Sequence, residues 1–286
     1  MERKEKTSWQ WREEKGIRYL FCPALEAEGL IKHGFTSRHG GVSGGSYATL
    51  NLGLHVGDNP AHVLKNRSCL AELLGVPLEY FAVAEQVHGI KVQAVKEEHR
   101  GAGAREMATA LAGADALITS VQGVPLLTFH ADCAALFFLD PKKRAIGLAH
   151  AGWKGSAGKI GVAVLKAMQA TFGTSPGDCL VWISPAVGPC CYEVDRPVIE
   201  AVCHSFPETY RRALISAVSG QGREAERARL DLWEVNRMAL AAAGVRPEYI
   251  YIASLCTSCN EDDFFSYRRM KGKPTGRMGA FVMLLP

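Results

Sequence analysis

Residues 124–153, VPLLTFHADCAALFFLDPKKRAIGLAHAGW, contain three short apolar runs separated by polar residues. The runs cover 124–129, 134–139 and 145–149, and none alternates between apolar and polar side chains. Continuous apolar runs of this length are typical of strands that are covered on both faces. The turn signal DPKK at 140–143 predicts that the last two strands form a hairpin.

On both sides of this stretch the sequence predicts further strands, several in succession, with a few helices between them. Further strands are predicted at 30–37, 81–84, 90–95, 116–119, 180–183, 249–253 and 280–285, and helices at 60–74, 156–172 and 232–243. Strict alternation of strand and helix is absent, which argues against a Rossmann fold. The predicted fold class is α/β (α+β): a single compact sandwich of mixed β-sheets flanked by helices. Residues 1–18 are expected to form a charged N-terminal arm, and 19–286 a single catalytic domain.

Composition, charge and the lengths of the apolar runs argue against a nucleic-acid-binding, secreted or membrane-spanning protein. The chain has 286 residues, 48% of them hydrophobic, and 33 basic against 29 acidic side chains give a net charge of +4. These values are ordinary for a globular protein, and the charge is too small to indicate a nucleic-acid partner. The charged start lacks the apolar core of a secretory signal, and no run is long enough to cross a membrane. A cytoplasmic location is therefore expected, in which the nine cysteines are thiols or metal ligands.

Three candidate metal ligands, His88, Cys133 and His150, each lie where an apolar run ends. Two imidazoles and one thiolate suit Zn²⁺ with a fourth position open to water, which is the catalytic arrangement. For each residue taken alone, simple packing beside a strand is the commoner role, and only the three together point to a metal.

Other polar residues near these runs leave alternatives open. Asp132 is either a partner that orients a ligand histidine or a turn residue at a strand end. The role of His130 is open. The pair Cys256 and Cys259 fits a second metal or redox site, or two loop thiols. The vicinal Cys190 and Cys191 either line a pocket or pack.

Basic residues cluster near the C-terminus. The segment 267–277 contains no acidic residue and carries Arg268, Arg269 and Arg277, and Arg38 lies in a glycine-rich loop. These four arginines are the candidates for binding phosphate or another oxyanion. The alternative is a solvated basic loop.

Seven segments together resemble one known family. In chain order they are HGFTSRHGGVSGGSYATLNLGLHVGD (33–58), QVHG (86–89), ADC (131–133), HAGWKG (150–155), GPCCYEV (188–194), DLWEVNRMAL (231–240) and FFSYRRMKGKPTGRMGAFVML (264–284). The resemblance is to the bacterial laccase-domain family, also called the multicopper polyphenol oxidase or peptidoglycan-editing-factor family and now described as purine nucleoside phosphorylases. It runs from about residue 30 to the C-terminus.

The resemblance implies an enzyme with one Zn²⁺ per chain, held by His88, Cys133 and His150. It implies phosphorolysis of adenosine, inosine, guanosine and S-methyl-5'-thioadenosine, with adenosine deaminase activity, so the partners are a purine nucleoside and phosphate. The competing hypothesis is a cysteine-dependent hydrolase that edits peptidoglycan precursors, with Cys133 as nucleophile, a histidine as base and Asp132 as orienting residue. A polyphenol oxidase needs several coppers, and the number of ligands disfavours it.

Overall fold

The computed structural model describes residues 8–208, 211, 214–219 and 226–286. Its strands are β1 Gln10–Glu14, β2 Ile17–Phe21, β3 Ile31–Thr36, β4 Ala82–Val83, β5 Val92–Ala94, β6 Ala116–Thr119, β7 Leu126–His130, β8 Ala134–Asp140, β9 Ala145–Ala151, β10 Leu180–Ile183, β11 Glu193–Asp195, β12 Ile215–Ser219, β13 Arg227–Leu230, β14 Ile250–Ile252 and β15 Met278–Leu284. Its α-helices are α1 Pro23–Glu26, α2 Pro60–Leu74, α3 Trp153–Ala157, α4 Ile160–Phe172, α5 Arg196–Ser205, α6 Leu232–Ala242 and α7 Tyr267–Met270.

Two six-stranded mixed sheets form the centre of the fold. The first has the order β1-β2-β3-β15-β7-β4 and the second the order β14-β10-β8-β9-β6-β5. A separate three-stranded sheet has the order β11-β13-β12. Both large sheets combine parallel and antiparallel pairs, as the runs of strands predict.

The two large sheets pack face to face and helices cover their outer faces. Inward side chains of both sheets, such as Phe35 and Phe137, share one apolar core. The outer face of the second sheet packs against α4 and α6, and that of the first against α2. This layering explains why the central strands are apolar throughout, since both of their faces are buried. The predicted sandwich of mixed sheets flanked by helices is confirmed.

Short sequence patterns correctly predicted the β8–β9 hairpin and the starts of the helices α2 and α6. Strands β8 and β9 form the predicted antiparallel hairpin across residues 140–145. The side chain of Asn59 accepts the backbone N–H of Ala61 at the start of α2, and Gly75 ends that helix in the left-handed region. The side chain of Asp231 accepts the N–H of Glu234 at the start of α6 in the same way.

The N-terminal prediction is wrong from residue 10 onward, and residues 1–7 lie outside the described part of the chain. Residues predicted as a charged arm form β1, which pairs with β2 through a tight turn in which Lys15 and Gly16 both have positive φ. Trp11 stacks on Phe264, with ring centroids 5.8 Å apart. The strand was missed because edge strands carry charged, partly exposed residues that resemble a solvated arm.

The helix predicted at 156–172 also differs, because it is two helices. Helix α3 ends at Ala157 with Gly158 as its C-terminal cap, and Lys159 adopts a left-handed φ of 59° before α4 begins. No helix in the described ranges is long and apolar enough to cross a membrane.

The chain passes from the first large sheet to the second between β7 and β8. Only residues 131–133 separate these strands, and Asp132 has a φ of 95°. A non-glycine residue in the left-handed region is uncommon and marks a sharp change of direction. The crossing brings one end of both sheets together, and the candidate site lies there.

Candidate metal centre and cleft

His88, Cys133 and His150 converge at the crossing between the two sheets. Their ligand atoms all lie within 4.8 Å of one another. The rings of His88 and His150 are perpendicular, with centroids 4.8 Å apart. His150 is buried, Cys133 is half-buried and His88 is exposed, so the cluster opens to solvent on one side.

The register of the second sheet fixes the position of His150 relative to Cys133. In the β8–β9 pair, Ala135 lies opposite His150 and Ala134 opposite Ala151. Cys133 directly precedes β8, so it emerges beside the end of β9 that carries His150. The backbone N–H of His150 also donates to the carbonyl of Asp115, 2.8 Å away, which ties this end to the start of β6.

His88 is held in a tight loop that follows β4. The side-chain amide of Gln86 continues the pairing of β4 with β7, donating to the carbonyl of Phe129 (2.8 Å) and accepting its N–H (2.7 Å). Gln86 and His88 each have a φ of 62°. Such left-handed residues cost energy and persist where the surroundings fix them, often at functional sites.

Asp115 is the residue that organises this loop and orients His150, one of the candidate metal ligands. Its carboxylate accepts the backbone N–H groups of Val87, His88 and Gly89 at 3.1, 3.0 and 2.7 Å. It also lies 3.0 Å from Nδ1 of His150, which leaves Nε2 of that ring free to bind a metal. Sequence reasoning missed Asp115, although a lone acid directly before the apolar run 116–119 is the kind of polar strand end that marked the other candidates.

Asp132 does not orient a histidine, which was one of the two roles considered for it; its carboxylate contacts other residues. Its Oδ1 accepts the hydroxyl of Thr257 at 2.7 Å, and its Oδ2 accepts the backbone N–H of Arg268 at 2.6 Å. Asp132 therefore joins the crossing to the C-terminal segment, and Asp115 is the residue that orients His150.

His130 is a buried structural residue beside the cluster. Its Nε2 lies 2.8 Å from the hydroxyl of Thr128, and its Nδ1 lies 3.1 Å from the carbonyl oxygen of Cys133. Burial, and secondarily the charge of His150, lower the pKa of His130 well below its usual value. The ring stays neutral and supports the Cys133 turn.

The cluster stabilises a thiolate next to a charged imidazole. Burial by itself would raise the pKa of Cys133, but His150 and His88 together lower it. Burial opposes the charge on His150, whereas Cys133 and Asp115 raise the pKa of its ring. A metal bound here would take the place of the shared proton, because metals bind thiolate and neutral imidazole.

The residues present fit a bound metal ion. One thiolate and two imidazoles form a borderline-soft donor set, typical of zinc and of some other transition metals. Gly152 keeps space beside them: a Cβ at this position would lie 2.9 Å from Sγ of Cys133 and 3.2 Å from Cδ2 of His88.

The cluster forms part of the wall of a cleft of about 470 Å³. Of the four candidate anion-binding arginines, Arg268 and Arg277 line this cleft. The guanidinium of Arg268 lies 5.1 Å from the ring centroid of Tyr192, and burial lowers the pKa of Arg277. Four aromatic side chains also line it: Phe129, Trp153, Tyr192 and Tyr267.

Arg38 and Arg269 line a second pocket of about 310 Å³. Arg269 forms a two-pronged ion pair with Glu261, at 2.7 and 2.6 Å. Arg38 donates to the carbonyls of Ala48 and Glu261, both at 2.9 Å, and lies over the ring of Phe265. The structure therefore divides the predicted basic cluster between two pockets.

Known proteins resemble this chain over most of its length. The family model described as multi-copper polyphenol oxidoreductase laccase matches residues 32–285. Purine nucleoside phosphorylase YlmD of Geobacillus stearothermophilus is 44% identical over 264 residues, covering 92% of this chain and 93% of the relative. Adenosine deaminase RL5, from an unknown prokaryotic organism, is 32% identical and covers 89% of this chain and 94% of its own.

A solved structure shows the same fold. The crystal structure of YlmD from Geobacillus stearothermophilus superposes with a TM-score of 0.88 at 42% identity, covering 98% of this chain and 100% of that chain. The match spans both sheets and the cleft between their ends. This chain belongs to the multi-copper polyphenol oxidoreductase laccase family.

Proposed function

We propose that this protein is a zinc-dependent purine nucleoside phosphorylase with adenosine deaminase activity, and that residues 10–286, which include β1 and β2 of the first large sheet, act as one catalytic domain. The proposed substrates are adenosine, inosine, guanosine and S-methyl-5'-thioadenosine, each with phosphate. The observation that carries the proposal is that a three-ligand metal cluster and two arginines, Arg268 and Arg277, line one cleft. The names of the relatives support the same assignment.

The size and lining of the cleft suit a nucleoside. Small-molecule sites have volumes of roughly 300–1,000 Å³ and combine apolar walls with a few polar groups. The aromatic side chains, among them Phe129 and Tyr192, offer flat surfaces on which a purine stacks. The polar groups that line the cleft include the two arginines and the cluster of His88, Cys133 and His150.

Phosphorolysis requires phosphate to attack the anomeric carbon of the ribose as the bond to the purine breaks. The guanidinium groups of Arg268 and Arg277 supply positive charge that holds the phosphate dianion. Arg277 is well placed for this role because its backbone is fixed by Asn51, which accepts its N–H at 2.9 Å. Arg38 and Arg269 are left out of the proposal, since they line the second pocket and not the cleft that holds the metal cluster, and Glu261 pairs with Arg269.

His88, Cys133 and His150 would hold Zn²⁺, with one position left for a small ligand. When bound, Zn²⁺ supplies Lewis-acid stabilisation of negative charge that develops during either reaction. The chain's own contribution is to keep the three donors in place. Asp115 fixes the His150 ring and the His88 backbone, and Asp132 fixes the turn at Cys133.

The deciding experiment assays a panel of nucleosides with and without phosphate, and with and without a chelator. Purine release that requires phosphate supports the phosphorylase, and inosine formed from adenosine without phosphate supports the deaminase. The variants His88→Ala and Cys133→Ala should lose the zinc ion of this cluster and, with it, both activities. An enzyme that stays fully active without metal, and that alkylation of Cys133 inactivates, would instead indicate the cysteine-dependent hydrolase.

A further inference from the structure

Four cysteines from two distant segments meet on the surface beside the cleft. The Sγ atoms of Cys190, Cys191, Cys256 and Cys259 all lie within 4.8 Å of one another. Sγ of Cys259 lies 3.5 Å from that of Cys190 and 3.4 Å from that of Cys191. None of these thiols belongs to the cluster of His88, Cys133 and His150.

The spacing of the sulfurs matches a metal bound by four thiolates. A tetrahedral Zn²⁺ site with Zn–S bonds of about 2.3 Å separates its sulfurs by roughly 3.8 Å. The separations of Cys259 from Cys190 and Cys191, 3.5 and 3.4 Å, are a little shorter than this value, and no pair of the four sulfurs is more than 4.8 Å apart. Shifts of a few tenths of an ångström, which move Cys259 slightly away from Cys190 and Cys191, together with closer approach of any wider pair, would complete the tetrahedron.

The backbone holds the two segments together independently of the thiols. Ala186 and Cys256 form a parallel bridge. The backbone N–H of Gly188 donates to Sγ of Cys256 at 3.2 Å, a contact that stabilises negative charge on sulfur. The carbonyl of Cys190 accepts a hydrogen bond from Arg229 of β13. The site is therefore largely formed before a metal arrives.

A site of four thiolates carries excess negative charge, and the positively charged side chain of Arg269 lies near it. After the larger effect of Glu261, the charges of Cys191 and Cys259 contribute to raising the pKa of Arg269. Cys256 is buried, whereas Cys190 and Cys259 are exposed, so an ion can enter from solvent.

We propose that Cys190, Cys191, Cys256 and Cys259 bind a second Zn²⁺ in a closed structural site that fixes one wall of the cleft. Four protein thiolates leave no position for water, so this ion has a structural role. The proposal stands on the positions of the four sulfurs and holds whether or not the proposed function does.

The contacts of the neighbouring residues connect this site to the cleft. Tyr192 follows Cys191 directly and lines the cleft, with the guanidinium of Arg268 over its ring. Thr257, between Cys256 and Cys259 in the sequence, donates to Asp132 at 2.7 Å. An ion that links the two cysteine segments would therefore hold Tyr192 and the Asp132 turn in register.

The test is the zinc content of protein purified with zinc and a non-thiol reductant. The wild type should hold two zinc ions per chain, and the double variant Cys190→Ser/Cys259→Ser should hold one. The variant His88→Ala/Cys133→Ala should also hold one, because it keeps only the four-cysteine site. Cys69→Ser is the matched control: it removes a free thiol on α2 and should keep both ions.

Cobalt gives a second measurement that does not depend on the serine variants. The His88→Ala/Cys133→Ala protein, loaded with Co²⁺, should show the intense visible bands and sulfur-to-metal charge-transfer absorption of a tetrahedral tetrathiolate. Added Zn²⁺ should raise its thermal unfolding midpoint. The proposal would be overturned if the wild type bound one zinc and His88→Ala/Cys133→Ala bound none. It would also be overturned if two of these four cysteines formed a disulfide that the reductant does not break.

Discussion

Oδ1 of Asp115 lies 3.0 Å from Nδ1 of His150, and the same carboxylate receives three backbone N–H groups of the loop that carries His88. One buried carboxylate thus sets the position of two of the three candidate metal ligands, although it is not itself a ligand. Partners of this kind are worth roughly 10–100-fold in metal affinity.

We therefore expect Asp115→Asn to weaken zinc binding by about 10–100-fold, because the amide presents one acceptor and no charge to four donors. Competition with a chromophoric chelator measures this affinity. Asp132→Asn provides the contrast, since Asp132 contacts Thr257 and the N–H of Arg268. A greater loss of zinc affinity in Asp132→Asn than in Asp115→Asn would contradict the assignment.

The substitution Gly152→Ala tests whether the metal cluster needs the space that the missing side chain of Gly152 leaves beside Cys133. Gly152 has a φ of −72°, so alanine fits the backbone, but its Cβ would lie 2.9 Å from Sγ of Cys133. We expect a properly folded protein whose zinc affinity falls about tenfold or more. Gly44→Ala is the control, because a Cβ there has no neighbour within 4 Å. Unchanged zinc retention by Gly152→Ala after dialysis against a weak chelator would rule out the predicted steric conflict.

Arg277→Gln separates the two proposed reactions. A charged hydrogen bond is worth about 1.5–3 kcal/mol, so the KM for phosphate should rise roughly 10–100-fold. Adenosine deamination uses no phosphate, and its rate should change much less. Steady-state assays of both reactions measure the difference, with Arg105→Gln as control, since Arg105 is an exposed partner of Glu79 outside the cleft. Equal losses in both reactions would assign Arg277 to nucleoside binding.

We expect the buried His33 to make the protein less stable in acid. Burial, with a smaller effect of Arg12, lowers its pKa to about 3, and its Nε2 accepts the N–H of Cys22 at 3.0 Å. The unfolded chain, with a histidine pKa of about 6.5, binds a proton that the native protein does not. Stability from this residue is therefore complete above about pH 6.5 and falls as the pH drops towards about 3.

The comparison is between wild type and His33→Gln, whose amide oxygen replaces the acceptor without titrating. Between pH 7 and 4.5 the wild type should lose about 2–3 kcal/mol more of its unfolding free energy than His33→Gln. Urea unfolding at both pH values gives these free energies. Parallel losses in the two proteins would show that His33 does not contribute to the acid sensitivity.

Much of the fold was predictable because its signals are local. The strands β6 and β10 have the predicted bounds, and the helices α2 and α6 begin at the predicted residues, where the side chains of Asn59 and Asp231 cap them. These features depend on a few neighbouring residues, whose burial or hydrogen bonding the pattern itself encodes. The break at Lys159 was missed because a left-handed residue leaves no sign in an apolar helical pattern.

The sequence by itself determined the candidate ligands. His88, Cys133 and His150 each stand at the polar end of an apolar run, where a strand reaches the edge of its sheet. Their residue types follow from the donor atoms that a borderline metal prefers. No tertiary information was needed to select these three as candidates.

Only the tertiary structure decided which other residues join them. The strand order places Asp115 next to His150, and the crossing at 131–133 turns Asp132 towards Thr257. The same packing divides the arginines between two pockets and gathers four cysteines from segments more than sixty residues apart. Such contacts arise from register and strand order, which are set by the burial of whole sheets rather than by any local run of residues.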